Sequence, residues 1–364
     1  EGLSGLLLSA AQERSGLRCR LVALDYADDA AARLRAELDG GDALVRLSGG
    51  RRLVRQWREM PVAPARGRWR DGGVYLITGG AGGVGLHLAE WIAKACRRPV
   101  LWLIGRAPLA EATRIRLDAL DAVIHYRQAD VADDGAMARL VDDIVHGHGA
   151  LNGIVHAAGL TRDSLLVRKS AADLDAVLRP KVAGTLALDA ASRDVALDFL
   201  ALFASVSGAL GNAGQADYAA ANAFLDSFAA HRNGLVAQGR RRGRTVAIDW
   251  PYWQDGGMRL GADAIAAMDR AVGARPLATA AGLATFDAIL AQAGEPQVLV
   301  LDGDPDRLRR LVDPVTMAAT AAPPTPILAP SPKQAPTPNQ APVVDLTGAA
   351  DGETVHEGGL PGRP

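Results

Sequence analysis

The sequence predicts an α/β protein built on a doubly wound parallel sheet, and three observations carry that prediction. Between Gly73 and about Leu311, short apolar runs alternate with helix-forming stretches long enough to serve as crossovers. The first strand-to-helix junction is a glycine-rich loop, residues 79–85. On either side of this region the rhythm changes, which sets off residues 1–70 and 313–364 from a central unit at 71–312.

Residues 1–70 read as a helix over 2–14, a strand over 18–24, a helix over 29–38 and a hairpin over 43–57. Gly49-Gly50 at the hairpin tip fits a type I′ or II′ turn. Strands follow near 74–78, 100–104, 123–128, 152–156, 199–205, 244–249 and 297–301, each an apolar run closed by small or polar residues. Residues 256–273, rich in small and apolar side chains, interrupt the pattern and read as a helical lid over a bound molecule. Past Asp313 prolines recur among Ala, Thr and Gln with almost no charge, a composition that predicts an extended linker. There is no internal repeat.

Composition narrows the function classes. The chain has 364 residues, 49% of them apolar, enough for a sizeable core. Its 40 basic and 41 acidic residues leave a net charge of −1, which argues against a nucleic-acid partner. The basic run from Arg51 to Arg70 is read either as a solvated face or as a patch meeting a partner domain. Cys19 and Cys96 have neither metal-ligand nor redox spacing, and His146 and His148 lack partners, so no metal is expected and a reducing cytoplasm is. No apolar stretch reaches the roughly 20 residues of a membrane span.

The loop reads Thr78-Gly79-Gly80-Ala81-Gly82-Gly83-Val84-Gly85 and satisfies both G-x-G-x-x-G and T-G-x-x-x-G-x-G. Its glycines allow a tight turn and close backbone approach, while the helix that follows offers free N–H groups to a pyrophosphate. The next strand ends at Gly105-Arg106, where an adenosine ribose would lie. An acidic residue there would favour NAD, whereas the Arg106 guanidinium suits a 2′-phosphate, so NADPH is the expected cofactor. The competing reading of Arg106 is an ordinary exposed arginine.

Downstream, Ser205 closes an apolar strand, Tyr218 opens a long Ala-rich helix, and Asn222 follows one turn later. A phenol beside a serine hydroxyl can give a proton to a carbonyl oxygen while hydride arrives at carbon. A phenol with an ordinary pKa of about 10 reacts slowly. A nearby ammonium would lower that value, and Lys181, one of only four lysines, can supply it.

Together these residues resemble the short-chain dehydrogenase/reductase superfamily and, within it, the ketoreductase domains of modular polyketide synthases. The likeness runs from about Gly73 to about Leu311 and includes Asp130-Val131, His156-Ala157-Ala158-Gly159, Pro180-Lys181-Val182, Phe224-Leu225-Asp226 and Asp249-Trp250-Pro251. In most of the superfamily the lysine follows the tyrosine by four residues and the asparagine lies upstream. Here the two are exchanged, as in polyketide and fatty-acid synthase ketoreductases.

The resemblance implies a Rossmann-type sheet with a partial N-terminal structural subdomain, the fragment of a longer polypeptide. It implies Ser205, Tyr218, Lys181 and Asn222 as catalytic, with Asn222 holding Lys181 and a relay water. Thr78, Gly79, Gly80, Gly82, Gly83, Val84, Gly85, Arg106, Asp130, Val131, Ala157, Ala158 and Gly159 would bind the cofactor. The substrate would be a β-ketoacyl chain on the phosphopantetheine arm of an acyl carrier protein, and the partners other domains of the same synthase.

The stereocontrol loop keeps only the last aspartate of the Leu-Asp-Asp motif, as Thr161-Arg162-Asp163, and no tryptophan precedes Tyr218 by eight residues, where Leu210 stands. The loop looks like those of synthases that recruit acyltransferases in trans, and it implies a D-configured hydroxyl directed by Asp163. A stand-alone alcohol dehydrogenase would share the site without the flanking segments, and a non-catalytic NADP-binding scaffold would not need the tetrad.

Overall fold

A computed structural model describes residues 2–25, 30–61, 63–292 and 294–313. The Pro-rich stretch expected to be a linker lies, from Pro314 onward, outside the described residues. The chain opens with helix α1 (Ser4–Glu13), strand β1 (Leu21–Leu24), helix α2 (Ala30–Ala36) and the hairpin β2 (Leu44–Ser48) and β3 (Arg51–Val54). Strand β1 pairs parallel with β2, and β2 antiparallel with β3, giving a small three-stranded sheet. Gly49 and Gly50 have φ of 55° and 74°, so the hairpin uses the type I′ form, with both central residues left-handed.

The central unit continues with β4 (Val74–Thr78), α3 (Gly83–Ala95), β5 (Val100–Gly105), α4 (Glu111–Asp118), β6 (Val123–Gln128) and α5 (Asp134–His148). Then come β7 (Gly153–His156), α6 (Ala171–Ala191), β8 (Phe199–Ser205), α7 (Val206–Leu210), α8 (Ala216–Ala237) and β9 (Arg244–Trp250). It closes with α9 (Ala262–Val272), α10 (Thr279–Ala291), β10 (Gln297–Leu299) and α11 (Pro305–Val312). The seven strands form one parallel sheet in the order β10-β9-β8-β7-β4-β5-β6. The order reverses between β4 and β7, and sheets of this kind bind ligands beyond the strand ends at that point.

Strand β4 shows why the central runs are uniformly apolar. Tyr75 and Ile77 enter one core with Leu88, Ile92 and Phe286, while Leu76 enters the other with Leu140, Leu188 and Leu225. Both faces of the sheet are covered, so no alternation with polar residues survives.

Helix α1 does not stay with the small sheet. It packs along α7 and α8, and Gly5 lies so close to α8 that a Cβ there would stand 2.2 Å from the Ala219 carbonyl oxygen. Most arginines of the basic run from Arg51 to Arg70 are exposed, and several of them also make contacts within the chain. Arg52 pairs with Glu37 and Asp42 at 2.8 Å each, Arg70 with Asp198, and Arg68 Nε donates to the Leu290 carbonyl at 2.9 Å. The segment expected to be a lid contains α9, which has no buried residue. No described helix is long and apolar enough to cross a membrane.

Candidate functional site

The glycine loop sits where β4 ends, at the reversal of strand order. Gly79 has φ of 67°, and a Cβ there would approach the Ala157 carbonyl oxygen at 3.0 Å, so both conformation and space call for glycine. At Gly85 a Cβ would meet the Gly79 oxygen at 2.3 Å, which lets α3 start directly against the turn. The first N–H groups of α3 have no intrahelical partners. Gly83 lies against Gly256 and Gly257, so the region upstream of α9 closes over the start of α3.

A cleft next to this loop is lined by Thr78, Gly105, Arg106, Asp130, Val131 and Gly159, among others. Arg106 is exposed on its rim, while Asp130 is tied to Ala132 N at 3.0 Å and to Arg179 at 3.4 Å. A glycine-rich backbone cradle and a helix start fit the pyrophosphate of a dinucleotide.

One buried contact joins the two strands at the reversal point. The Pro180 carbonyl, 3.1 Å from His156 Nε2, can only accept, so that nitrogen carries the proton. Nδ1 then accepts from Thr78 Oγ1 at 2.6 Å, and the Ala158 N–H donates back to the same oxygen at 3.2 Å. Burial, with Lys181 nearby, pushes His156 down to about 3, so it stays neutral. It braces β4, β7 and α6 together and has no free nitrogen for chemistry.

Ser205, Tyr218, Lys181 and Asn222 converge beside this brace. Ser205 ends β8, caps α7, and accepts from Ser207 N at 3.3 Å. Tyr218 lies half-buried in the first turn of α8. Asn222 Nδ2 donates to the Tyr218 carbonyl at 2.7 Å, leaving its buried Oδ1 without a protein donor. Lys181 projects from α6 past Gly159, where a Cβ would stand 2.9 Å from the lysine Cε. Its Nζ donates to the Phe203 carbonyl at 2.7 Å and stands 5.8 Å from the Tyr218 ring centre.

The electrostatics differ from the simple expectation that the ammonium lowers the phenol. Burial dominates and holds Tyr218 above its ordinary value, while hydrogen bonding with Ser205 and Asn222 pulls the other way. Burial also lowers Lys181 to about 8, opposed by the carboxyl groups of Asp226 and Asp249. The lysine has therefore been brought towards neutrality by the site that holds it.

Asp163 enters this network from the loop after β7. Gln215 Nε2 donates to both of its oxygens at 3.1 Å, and Gln215 Oε1 accepts from Ser207 Oγ at 3.1 Å. Ser207 Oγ in turn accepts from Ser205 Oγ at 3.5 Å. Asp163 is thus linked to Ser205 by a short polar chain through Gln215 and Ser207, neither of which the sequence singled out. Burial raises the Asp163 carboxyl, restrained chiefly by the Gln215 bonds.

The same loop is anchored by a second unanticipated contact. Lys169 Nζ lies 2.9 Å from Asp217 Oδ2 with both side chains at most 1% exposed, and it also donates to the Arg162 carbonyl. Asp217 Oδ1 accepts from the Tyr218 N–H at 2.8 Å. From α1, Glu13 accepts from Leu166 N at 2.6 Å and Gly214 N at 2.9 Å. The scarcity of lysine was the one available signal for Lys169. Among the described residues no cluster of His, Cys, Asp or Glu could hold a metal ion.

The family model for the KR domain matches residues 73–255. The chain is 40% identical over 318 residues to polyketide synthase PksN of Bacillus subtilis, covering 85% of this chain and 6% of that protein. It is 43% identical over 235 residues to polyketide synthase ThaG of Burkholderia thailandensis, covering 65% of this chain and 4% of that protein. It therefore spans a small part of the length of these curated relatives. A solved ketoreductase domain from the bacillaene assembly line shares 40% identity at a TM-score of 0.82, covering 86% of this chain and 76% of that one. An N-terminal ketoreductase from the macrolactin assembly line shares 30% at 0.73, with coverage of 86% and 62%.

The Lys169–Asp217 pair yields a stability test. Lys169→Met leaves a buried carboxylate without its cation and should cost about 3–5 kcal/mol in urea unfolding. Combining it with Asp217→Asn, which removes the orphaned charge, should recover a large part of that loss. Two losses that simply add would show that the pair is not coupled.

Proposed function

The chain belongs to the KR domain family, the ketoreductase domains of polyketide synthases, and from that premise we propose that it reduces the β-keto group of an acyl chain carried by an acyl carrier protein, with NADPH and to the D-configured hydroxyl. The observation that supports this best is the convergence of Ser205, Tyr218 and Lys181 beside the glycine-loop cleft at the reversal of strand order. NADPH, when bound, supplies hydride to the carbonyl carbon.

The chain's own residues handle the oxygen. The Ser205 hydroxyl donates a hydrogen bond to the carbonyl oxygen and strengthens it as negative charge grows there. The Tyr218 O–H bond breaks, its proton passes to that oxygen, and the alcohol O–H forms. The Lys181 ammonium, buried behind the ring, stabilises the phenolate left behind. The unpartnered Oδ1 of Asn222 accepts from a water that returns a proton toward the lysine and tyrosine. A buried phenol held above its ordinary value stays protonated at neutral pH, which suits the reductive direction.

Cofactor choice rests on Arg106, which makes no side-chain ion pair among the described residues and stands free at the cleft rim for a 2′-phosphate. Facial choice rests on Asp163. Its link through Gln215 and Ser207 fixes the loop edge relative to Ser205, so a pantetheine arm passing that edge presents one face of the ketone. A difference of about 2.7 kcal/mol between the two approaches gives roughly 100:1 product purity.

Three measurements test this reading. Tyr218→Phe should slow single-turnover reduction of a β-ketoacyl thioester by about 10²–10⁴-fold while NADPH still binds in a fluorescence titration. Retention of most of the rate would remove Tyr218 from the chemistry. Arg106→Ala should raise the KM for NADPH by about 10- to 150-fold, the range for a lost charge-assisted bond, with NADH little affected. Equal losses with both cofactors would remove the 2′-phosphate assignment. Chiral chromatography of the product should show the D-hydroxy thioester, with a lower ratio in Asp163→Ala, and a predominantly L product from the unaltered chain would reverse the stereochemical reading.

A further inference from the structure

Beneath Lys181 lie two carboxyl groups that the chemistry above does not use. Asp226 follows Tyr218 and Asn222 on the same face of α8, at successive four-residue steps, and Asp249 is the penultimate residue of β9. They are 5% and 0% exposed. Gln297 Nε2 donates to Asp249 Oδ2 at 2.7 Å. The other Asp249 oxygen and both Asp226 oxygens are buried without any protein donor.

The two carboxyl groups lie within hydrogen-bonding reach of each other. Carboxylate oxygens only accept, so two ionised groups in this position would repel and leave both sides unsatisfied. A single proton resolves the contact: one carboxylic acid donates to the other carboxylate. Burial and then the neighbouring Asp249 charge push Asp226 well above the usual carboxylate range. Burial also raises Asp249, to about 7, against the hydrogen bonds from Gln297 and Asp226. Asp226 therefore holds the proton, and Asp249, with the Gln297 donor, carries the charge.

Two cations act on the pair from different elements. Lys181 reaches it from α6, and Arg55 reaches it from the residue after β3. Arg55 Nη1 is itself buried with no protein acceptor. The neighbourhood thus holds the two carboxyl groups, the cations Lys181 and Arg55, the Tyr218 phenol that feels Asp249, the neutral His156 ring beside Lys181 and the neutral Gln297 side chain.

We infer that Asp226 and Asp249 share one proton beneath Lys181 and act as positioning residues, presenting one negative charge that keeps the buried lysine an ammonium. Arg55 makes the small N-terminal sheet a contributor to the same charge balance. At higher pH the shared proton is lost, a second negative charge appears, and Lys181 is held charged further into the alkaline range. The sign follows from the charges: adding a carboxylate beside an ammonium raises its pKa, and removing one lowers it.

The inference rests on Lys181 serving the reaction, but its first test does not need activity. Infrared difference spectra of the unaltered chain against Asp249→Asn, at neutral pH, should show the carbonyl stretch of a protonated carboxylic acid that the variant lacks. In the variant, the introduced amide donates to an ionised Asp226. The same band should bleach as the unaltered chain is titrated to alkaline pH. Absence of the band at neutral pH overturns the shared proton, and that alkaline titration needs no variant to fold.

The second test is the pH profile of kcat/KM. The alkaline limb, set in the unaltered chain by Lys181, should move to lower pH by about one unit in Asp249→Asn. Asp226→Asn should do the same, since it also leaves one fixed charge. A purely structural role would lower the rate at every pH without moving the limb, and an unmoved limb overturns the action on Lys181. If Tyr218→Phe were fully active while the infrared band were present, the assigned chemistry would fail and the shared proton would stand.

Discussion

Holding one buried ammonium group at the ends of the central strands is the constraint around which this site is organised. A lysine as buried as Lys181 loses the hydration that stabilises its charge, and a single hydrogen bond to the Phe203 carbonyl replaces little of it. The surrounding residues are intelligible as responses. Gly159 leaves room for the stem, His156 stays neutral so that it adds no repulsion, and two carboxyl groups lie on the far side. Burial outweighs the attraction, which brings the lysine to about 8, close enough to neutral pH for its charge to respond to the groups around it.

The second organising element is the junction of β4 and β7. The same register that pairs Thr78 with His156 brings the glycine loop and the end of β7 side by side. Because the imidazole is pinned at both nitrogens, α6 is fixed through the Pro180 carbonyl, one residue before Lys181. Cofactor cleft and lysine are thereby referenced to one rigid point. The short chain from Asp163 through Gln215 and Ser207 to Ser205 likewise ties the loop after β7 to the end of β8.

Much of this was legible in the chain because it is written in contiguous motifs. The glycine loop, the strand ending at Ser205 and the helix opening at Tyr218 each combine local geometry with side-chain chemistry over a few residues. The central strands stand within a residue or two of their expected limits for the same reason. What escaped is what depends on packing between distant segments. Lys169 and Asp217 are 48 positions apart, and nothing in either neighbourhood names the other. His156 looked like one member of a motif, and only its two hydrogen-bond partners show it to be a brace. The electrostatic sign at Tyr218 was also hidden, since burial, which sequence does not report, outweighs the hydrogen bonds that pull the other way.

The seating of α1 on α8 bears on where such a unit can be cut and recombined. A boundary drawn near residue 70 follows the change in sequence rhythm and would keep every strand of the large sheet. It would also strip the Ala219 surface of its cover and remove the carboxylate that ties Leu166 to Gly214. Those ties fix the two loops that flank the tyrosine. A unit cut at that boundary would therefore keep Ser205, Tyr218 and Lys181 but lose contacts that hold the neighbouring loops, and a transferred unit must take residues 4–13 along.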